Sequence, residues 1–224
     1  MNLTYLVRRP NSGTNHRPPL LILLHGLGSN EEDLFALASH FDERFLVLSL
    51  RAPFEMAPGY YRWFDRSDTA GGRVIDQQEL EASRKMLIQE INNAVMAFGA
   101  DPRQVYLMGF SQGAMMSMAL ALSAPQKLRG VVAVAGRVLP EIARLAAPQE
   151  ALSHLRLLIQ HGTQDDIVPV SDGYAARDLF ADLHVMMGFH EYPTGHNITP
   201  DMLADACDFL RAQLDPAQSV ESLH

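Results

Sequence analysis

A serine in a glycine-flanked turn is the strongest candidate for chemistry in this sequence. Residues 109–113 read Gly-Phe-Ser-Gln-Gly, and they lie between a short apolar run and a helical segment that continues through Leu122. In a G-x-S-x-G turn the glycines permit a tight bend, and the serine projects at the helix N-terminus, where the dipole and free amides favour developing negative charge. The pattern predicts that Ser111 is a nucleophile. The alternative is a glycine turn with only a structural role.

A serine becomes a good nucleophile when a base takes its proton and an acid orients that base. Two adjacent acids, Asp165 and Asp166, and then His196 follow the serine along the chain, each just beyond a predicted strand. Three of the nine histidines lie at strand ends: His25, His161 and His196. We interpret His25 and His161 as polar residues with a structural role and His196 as the base. On the residues alone, either acid could orient it.

Acyl chemistry also needs hydrogen-bond donors for an oxyanion, and two backbone amides serve this purpose well. Residues 25–28, His-Gly-Leu-Gly, follow an apolar run directly and allow close backbone approach. The amides of Leu27 and Gln112 are therefore the predicted donors. The two glycines could instead serve only the turn that precedes Asn30.

The hydrophobic pattern indicates which elements position these residues. Short apolar runs alternate with longer amphipathic segments, which is typical of a mostly parallel sheet with helices on both faces. In such sheets, functional residues gather at the carboxyl ends of the strands. The predicted buried strands are Leu20 to Leu24, Phe45 to Leu50, Gln104 to Gly109, Gly130 to Ala135, Leu155 to Gln160, and Val185 to Tyr192.

Three of the predicted helices have recognisable ends. Asn30 precedes acidic residues as an N-cap, and Asp76 caps a long helix that ends before Gly99. The last helix begins at Thr199, with Pro200 at its first position. The sequence therefore predicts an α/β fold in which strands and capped helices alternate.

Composition and charge exclude several classes of protein. Among 224 residues, 18 Lys and Arg oppose 26 Asp and Glu, which gives a net charge of −8 and argues against nucleic-acid binding. One cysteine excludes an intrachain disulfide framework and a Cys-rich zinc site, and we expect no metal or other cofactor. The longest purely apolar run, Leu20 to Leu24, is too short to span a membrane. We expect a single domain over residues 1–224, without stable membrane insertion and in the cytoplasm.

Taken together, the motifs resemble the phospholipase/carboxylesterase family of α/β-hydrolases. These small serine esterases include acyl-protein thioesterases and bacterial carboxylesterases. The resemblance implies an α/β-hydrolase fold with no separate lid domain, a triad of Ser111, Asp165 and His196, and an oxyanion hole at the turn after the first apolar run. It covers nearly the whole chain, in matching order. The matching segments are residues 24–28, 51–53, 63–65, 109–113, 161–165, 168–169 and 195–196.

The stretch from Phe54 to Gly72 concentrates aromatic and flexible apolar side chains in a segment without helical or strand period. A loop of this kind above the active edge of the sheet would line an apolar pocket. We therefore expect Met56, Tyr60, Tyr61 and Trp63 to bind an acyl chain. Alternatively, these aromatic residues pin a long loop to the core.

The predicted function is that of a cofactor-free serine hydrolase that cleaves carboxylic esters through an acyl-enzyme on Ser111. Thioesters and lysophospholipids are further candidate substrates. Acyl transfer to an acceptor other than water would use the same residues. A catalytically silent binding module is a third hypothesis, which the intact set of serine, acid and histidine disfavours. The expected partner is a small ester or thioester, and the sequence leaves a homodimer open.

Overall fold

The computed structural model describes residues 1–11, 17–69 and 72–215, and these form eleven strands and seven α-helices. In chain order the strands are β1 (Tyr5–Arg8), β2 (Leu20–Leu24), β3 (Leu46–Leu50), β4 (Phe54–Ala57), β5 (Tyr60–Arg62), β6 (Arg66–Thr69), β7 (Gly72–Ile75), β8 (Val105–Phe110), β9 (Gly130–Val134), β10 (Arg156–Gly162) and β11 (Met186–Tyr192). The helices are α1 (Glu31–Phe35), α2 (Gln77–Phe98), α3 (Gln112–Ser123), α4 (Pro140–Ala143), α5 (Gln149–Leu152), α6 (Val170–Asp182) and α7 (Pro200–Leu214).

Seven strands form the central sheet, in the order β1-β3-β2-β8-β9-β10-β11. Only β1 runs antiparallel to its neighbour within this sheet, and the other adjacent pairs are parallel. The six strands predicted from apolar runs are confirmed: β2 matches at both ends, and each of the other five has one or both ends shifted by one or two residues. Strand β1 is not among them, because four half-buried residues at a sheet edge carry no clear hydrophobic period.

The sheet buries both of its faces, as parallel sheets do. Alternate side chains of a strand point to opposite faces. In β2, Leu20, Ile22 and Leu24 belong to the buried cluster that includes residues of α2, α3 and α6, whereas Leu21 and Leu23 belong to the cluster that includes residues of α1 and α7. This arrangement confirms the predicted α/β fold with helices on both faces.

The predicted helix ends are also confirmed. The side chains of Asn30, Asp76 and Thr199 accept hydrogen bonds from backbone amides in the first turns of α1, α2 and α7. Helix α2 ends at Gly99, whose φ of 67° is the left-handed conformation that favours glycine there. Among the described residues, no helix is long and apolar enough to cross a bilayer.

The segment between β3 and α2 differs from the predicted irregular loop. It contains two hairpins, β4 with β5 and β6 with β7. Strands of three or four residues are too short to show a period of two, and the register shifts between Glu55 and Ala57. Backbone hydrogen bonds from Gly28 N to Tyr61 O and from Tyr61 N to Ser29 O fasten the first hairpin to the turn after β2.

Candidate active site

The turn at Ser111 joins β8 to α3, and its backbone is in close contact with neighbouring backbone. Ser111 has a φ of 52° and a ψ of −115°, which is a strained conformation for a residue with a side chain. A Cβ on Gly113 would lie 1.9 Å from the Leu24 carbonyl oxygen, and one on Gly109 would lie 2.3 Å from the Gly113 oxygen. The glycines are therefore required by the close approach of β2, β8 and the start of α3.

Ser111, His196 and Asp165 form a continuous hydrogen-bonded chain. The Ser111 Oγ lies 2.9 Å from Nε2 of His196, and Nδ1 of the same ring lies 2.7 Å from Oδ2 of Asp165. Since the carboxylate accepts, Nδ1 carries the hydrogen that it donates, and Nε2 is left to accept from the serine hydroxyl. In this arrangement the ring can take a proton from the serine. These three residues come from the loops after β8, β10 and β11.

Asp165, rather than Asp166, faces the histidine. The Asp165 side chain is fully buried, and its second oxygen, Oδ1, accepts from the backbone amides of Ile167 at 2.9 Å and Val168 at 2.8 Å. These two bonds fix the carboxylate plane, so that Oδ2 points at the ring of His196. Asp166 is exposed to solvent.

The predicted oxyanion donors lie on the same cavity wall as the serine. Gly26, Leu27 and Gln112 line the cavity together with Ser111 and His196. Within the described part of the chain, neither the Leu27 amide nor the Gln112 amide has a backbone acceptor outside its own element. Gln112 is the first residue of α3, where amides lack intrahelical partners. Both amides can therefore donate to a negatively charged oxygen in the cavity.

His25 has a structural environment. Its ring is fully buried, with Nδ1 2.7 Å from the Gly26 carbonyl and Nε2 accepting from the Ala52 amide at 3.0 Å. These partners are compatible with the neutral ring only, since an amide must donate to Nε2. Desolvation by burial lowers the pKa of His25.

His161 is also buried, close to the acid. Its Nε2 lies 2.8 Å from the Val168 carbonyl and 3.7 Å from Oδ2 of Asp165. A carbonyl only accepts, so Nε2 carries the hydrogen, and Nδ1 has no hydrogen-bond partner in the described ranges. A Cβ on Gly173 would lie 2.7 Å from Nδ1, so glycine at this position in α6 makes room for the ring. The ring thus supports the loop that carries Asp165.

The cavity beside Ser111 has a volume of about 190 Å³. The four residues predicted to bind an acyl chain do not line it, which corrects that expectation. Met56 and Tyr60 are exposed at 47% and 58%, and the Tyr61 ring lies against the Arg51 guanidinium, 4.6 Å from ring centroid to carbon. Trp63 is fully buried and donates from Nε1 to the His25 carbonyl at 2.9 Å. These side chains hold the first hairpin to the core or face solvent instead.

Other residues supply the cavity wall. Its apolar part consists of Phe64, Ile75, Phe110, Met115 and Ile167, and its cationic part consists of Arg66 and Arg137. Phe110 lies within the serine motif and Met115 two residues beyond it, so their proximity to Ser111 could have been anticipated. Arg137 and Ile167 lie after β9 and β10, and no local pattern distinguishes them from ordinary loop residues. Among the described residues, no group of three or more His, Cys, Asp or Glu side chains is placed to hold a metal ion.

Comparisons with known proteins identify the family to which this chain is similar. The model of the phospholipase/carboxylesterase family matches residues 10–214. Acyl-protein thioesterase 1 of Gibberella zeae is 30% identical over 166 residues, which cover 69% of this chain and 68% of that protein. Acyl-protein thioesterase 1 of Eremothecium gossypii is 28% identical and covers 87% of each chain.

Solved structures show the same fold. The Bacillus cereus carboxylesterase superposes with a TM-score of 0.80 at 23% identity and covers 95% of both chains. Esterase PE8 superposes with a TM-score of 0.80 at 26% identity and covers 94% of this chain and 99% of its own. The chain therefore belongs to the phospholipase/carboxylesterase family, and it is a serine hydrolase with the α/β-hydrolase fold.

Proposed function

We propose that this chain hydrolyses carboxylic esters with Ser111 as the nucleophile, His196 as the general base and Asp165 as the group that orients the base. The single observation that carries the proposal is the hydrogen-bonded chain from Ser111 Oγ through the His196 ring to Asp165, with distances of 2.9 and 2.7 Å. The serine hydroxyl lines an open cavity, so a substrate carbonyl can reach it.

The first half of the reaction forms an acyl-enzyme. Ser111 Oγ attacks the carbonyl carbon while its proton passes to Nε2 of His196. The carbonyl oxygen becomes an oxyanion, and the amides of Leu27 and Gln112 donate hydrogen bonds to it. When the intermediate collapses, the alcohol leaves and takes the proton from Nε2.

The second half releases the acid. A water molecule occupies the position that the alcohol has left, gives a proton to Nε2 of His196 and attacks the acyl carbon. The new oxyanion uses the same two amides, and Ser111 leaves with the proton. Throughout both halves, Nδ1–H of His196 donates to Asp165, so the positive charge that forms on the ring lies beside a carboxylate.

The size of the cavity favours a short acyl or alcohol group. Its volume of about 190 Å³ is below the roughly 300–1,000 Å³ that typical ligand pockets offer. Its apolar wall suits a few methylene groups beside the reacting carbonyl. We therefore propose short esters as the preferred substrates, with lysophospholipids of long acyl chain as poor ones.

Thioesters are a further candidate class, because relatives at 28% and 30% identity bear the name acyl-protein thioesterase 1. The same serine, base and oxyanion donors would serve, with a thiol in place of the alcohol. Acyl transfer would also use these residues, and product analysis with water and a competing alcohol distinguishes it from hydrolysis. A net charge of −8 makes nucleic acid an unfavourable partner.

The test is covalent labelling of the full chain with a fluorophosphonate, followed by an ester panel. We expect the adduct on Ser111, and we expect Ser111→Ala to abolish both labelling and hydrolysis. Ser153→Ala, a change at an exposed serine, is the matched control and keeps both. The panel runs from acetyl to palmitoyl p-nitrophenyl esters and includes one thioester and one lysophospholipid. An adduct on another residue, or undiminished hydrolysis by Ser111→Ala, contradicts the proposal.

A further inference from the structure

The charged residues on the wall of the catalytic cavity are of one sign. Arg66 and Arg137 line it, and among the described residues no Asp or Glu lines it. The chain as a whole has the opposite balance, with 26 acidic and 18 basic residues. An arginine on the wall of a cavity favours negatively charged ligands there, even in a protein that is acidic as a whole.

Arg137 has an unusual environment for an arginine. Its Nε is buried and has no hydrogen-bond partner among the described residues. The described part of the chain also provides no carboxylate within 4.0 Å of its guanidinium, and the carboxylate of Glu141, four residues later in α4, lies beyond that distance. A buried donor atom without an acceptor costs free energy, which a ligand oxygen that accepts from Nε would recover.

The position of Arg137 is fixed by its neighbour. A Cβ on Gly136 would lie 2.6 Å from Cβ of Ala114, so the backbone after β9 presses against the start of α3. Ala114 is three residues beyond Ser111. The base of the Arg137 side chain is therefore held at the same edge of the sheet as the nucleophilic serine, and Arg137 lines the cavity from there.

We propose that the preferred substrate is a short ester that carries an anionic group, a carboxylate or a phosphate, and that Arg137 binds this group. The inference rests on the proposed ester hydrolysis at Ser111 and specifies its substrate class. A guanidinium offers several donors in a plane and matches the two oxygens of a carboxylate or the oxygens of a phosphate. The volume of about 190 Å³ places such a group within a few atoms of the reacting carbonyl.

The test compares matched pairs of esters with the full chain. In the carboxylate arm, kcat/KM for monoethyl succinate is divided by that for ethyl butyrate. In the phosphate arm, kcat/KM for 1-butyryl-glycerol 3-phosphate is divided by that for 1-butyryl-glycerol. We expect the wild type to prefer the anionic ester in at least one arm, and that arm identifies the anion.

The variants locate the origin of the preference. Arg137→Gln should lower the ratio by about tenfold or more, because it removes a charge-assisted hydrogen bond to the ligand. Arg137→Lys keeps the charge and should retain part of the preference. Arg103→Gln removes an arginine whose side chain is 88% exposed and that does not line the cavity, and its ratio should equal that of the wild type. A ratio within one enzyme cancels any general loss of folded protein.

Two results would overturn the inference. One is a wild type that favours the neutral ester in both arms, and the other is an Arg137→Gln ratio equal to that of the wild type. Neither result contradicts the proposed function, because that function is tested separately by hydrolysis of the neutral esters and by labelling of Ser111. Conversely, a wild type that neither hydrolyses ethyl butyrate nor becomes labelled at Ser111 refutes the proposed function itself.

Discussion

The side chain of Gln112 binds the loop between β5 and β6 through two hydrogen bonds. Its Oε1 accepts from the backbone amide of Trp63 at 2.7 Å, and its Nε2 donates to the Phe64 carbonyl at 2.7 Å. The Trp63 ring in turn donates to the His25 carbonyl. Because the candidate oxyanion amides belong to Gln112 and to Leu27, two residues beyond His25, this buried network joins the two segments that supply them.

Substituting Gln112→Met should therefore destabilise the fold and lower kcat. Methionine has a similar size but leaves the Trp63 amide and the Phe64 carbonyl without partners. Each buried unpaired group costs about 1–3 kcal/mol, so the free energy of unfolding should fall by about 2–6 kcal/mol. Urea denaturation measures this, and the sole tryptophan reports on the affected loop directly. Gln78→Met, at an exposed position of α2, is the control, and equal stability of both variants would contradict the role assigned to the network.

Asp165→Asn should fold normally but lose most of its activity. The asparagine oxygen can still accept from the Ile167 and Val168 amides, which turns its NH₂ group towards Nδ1 of His196. Nδ1 must then accept, so the ring hydrogen moves to Nε2, and the ring can no longer take the serine proton. By analogy with the same acid-to-amide change in the triad of a serine protease, kcat should fall about 10⁴-fold. Steady-state kinetics on one soluble short ester, at matched melting temperature, measures the loss.

Asp166→Asn is the matched control for that prediction. Asp166 is exposed and makes no hydrogen bond to the ring of His196, so its neutralisation should change kcat only a few-fold. A larger loss in the Asp166 variant than in the Asp165 variant would reverse the assignment. Comparable small losses in both would show that another group orients the base.

Protein stability should decrease between about pH 6.5 and pH 5 in part because of His25. Burial lowers the pKa of this ring in the folded state, so below the ordinary histidine pKa of about 6.5 the unfolded chain binds a proton that the folded chain does not. Stability then falls as the pH falls, by at most about 1.4 kcal/mol per pH unit from this residue. Above pH 6.5 the ring is neutral in both states and contributes no slope.

His25→Gln tests the origin of this slope. It should be less stable than the wild type at pH 7.5, because the Ala52 amide loses its acceptor, but its stability should change less between pH 6.5 and pH 5. His40→Gln, at an exposed position, should retain the slope of the wild type. An unchanged slope in His25→Gln would show that other groups are responsible. Chemical denaturation at a series of pH values provides all three curves.

Most of the fold can be predicted from the sequence because its signals are local. Apolar runs, N-caps such as Asp76 and the left-handed Gly99 depend on neighbouring residues only, and the G-x-S-x-G motif likewise encodes its own turn. The order of serine, acid and histidine at strand ends is also visible in the sequence. The structure brings His196 within hydrogen-bonding distance of both Ser111 and Asp165.

The cavity wall cannot be predicted in the same way, because it depends on which separate loops meet. Trp63 is expected in the substrate pocket from its sequence context. In the structure its ring instead donates to the carbonyl of His25, 38 residues away in sequence, and its backbone amide donates to the side chain of Gln112, 49 residues away. Arg137 carries no signal, since an arginine after a strand is ordinary until the cavity is known. The short hairpin strands escape prediction for a related reason: their pairing partner, rather than their own pattern, makes them strands.

The last prediction concerns the space available at the serine turn and compares two glycines. In Gly113→Ala, the new methyl group would meet backbone oxygens of Leu24 at 1.9 Å and of His25 at 2.7 Å, and backbone cannot yield as a flexible side chain does. The start of α3 must then shift, which moves the amide of Gln112 relative to that of Leu27. Overpacking costs of about 3 kcal/mol or more correspond to a fall in Tm of about 10 °C for a chain of this size. Displacement of the catalytic groups by about 1 Å should reduce kcat about 100-fold in addition.

Gly195→Ala is the matched control, because Gly195 precedes His196 and is equally close to the candidate triad in sequence. Its Cβ would lie 3.7 Å from the nearest atom, the Gln164 oxygen, and its φ lies outside the left-handed region. This variant should keep a Tm within about 2 °C of the wild type, as substitutions without steric conflict usually do. Thermal unfolding and ester kinetics on both variants test the comparison. A Gly113→Ala protein with wild-type Tm and kcat would show that the turn can accommodate a methyl group and that glycine is not required there. A large fall in Tm and kcat in both variants would instead show that the site is sensitive to any added volume.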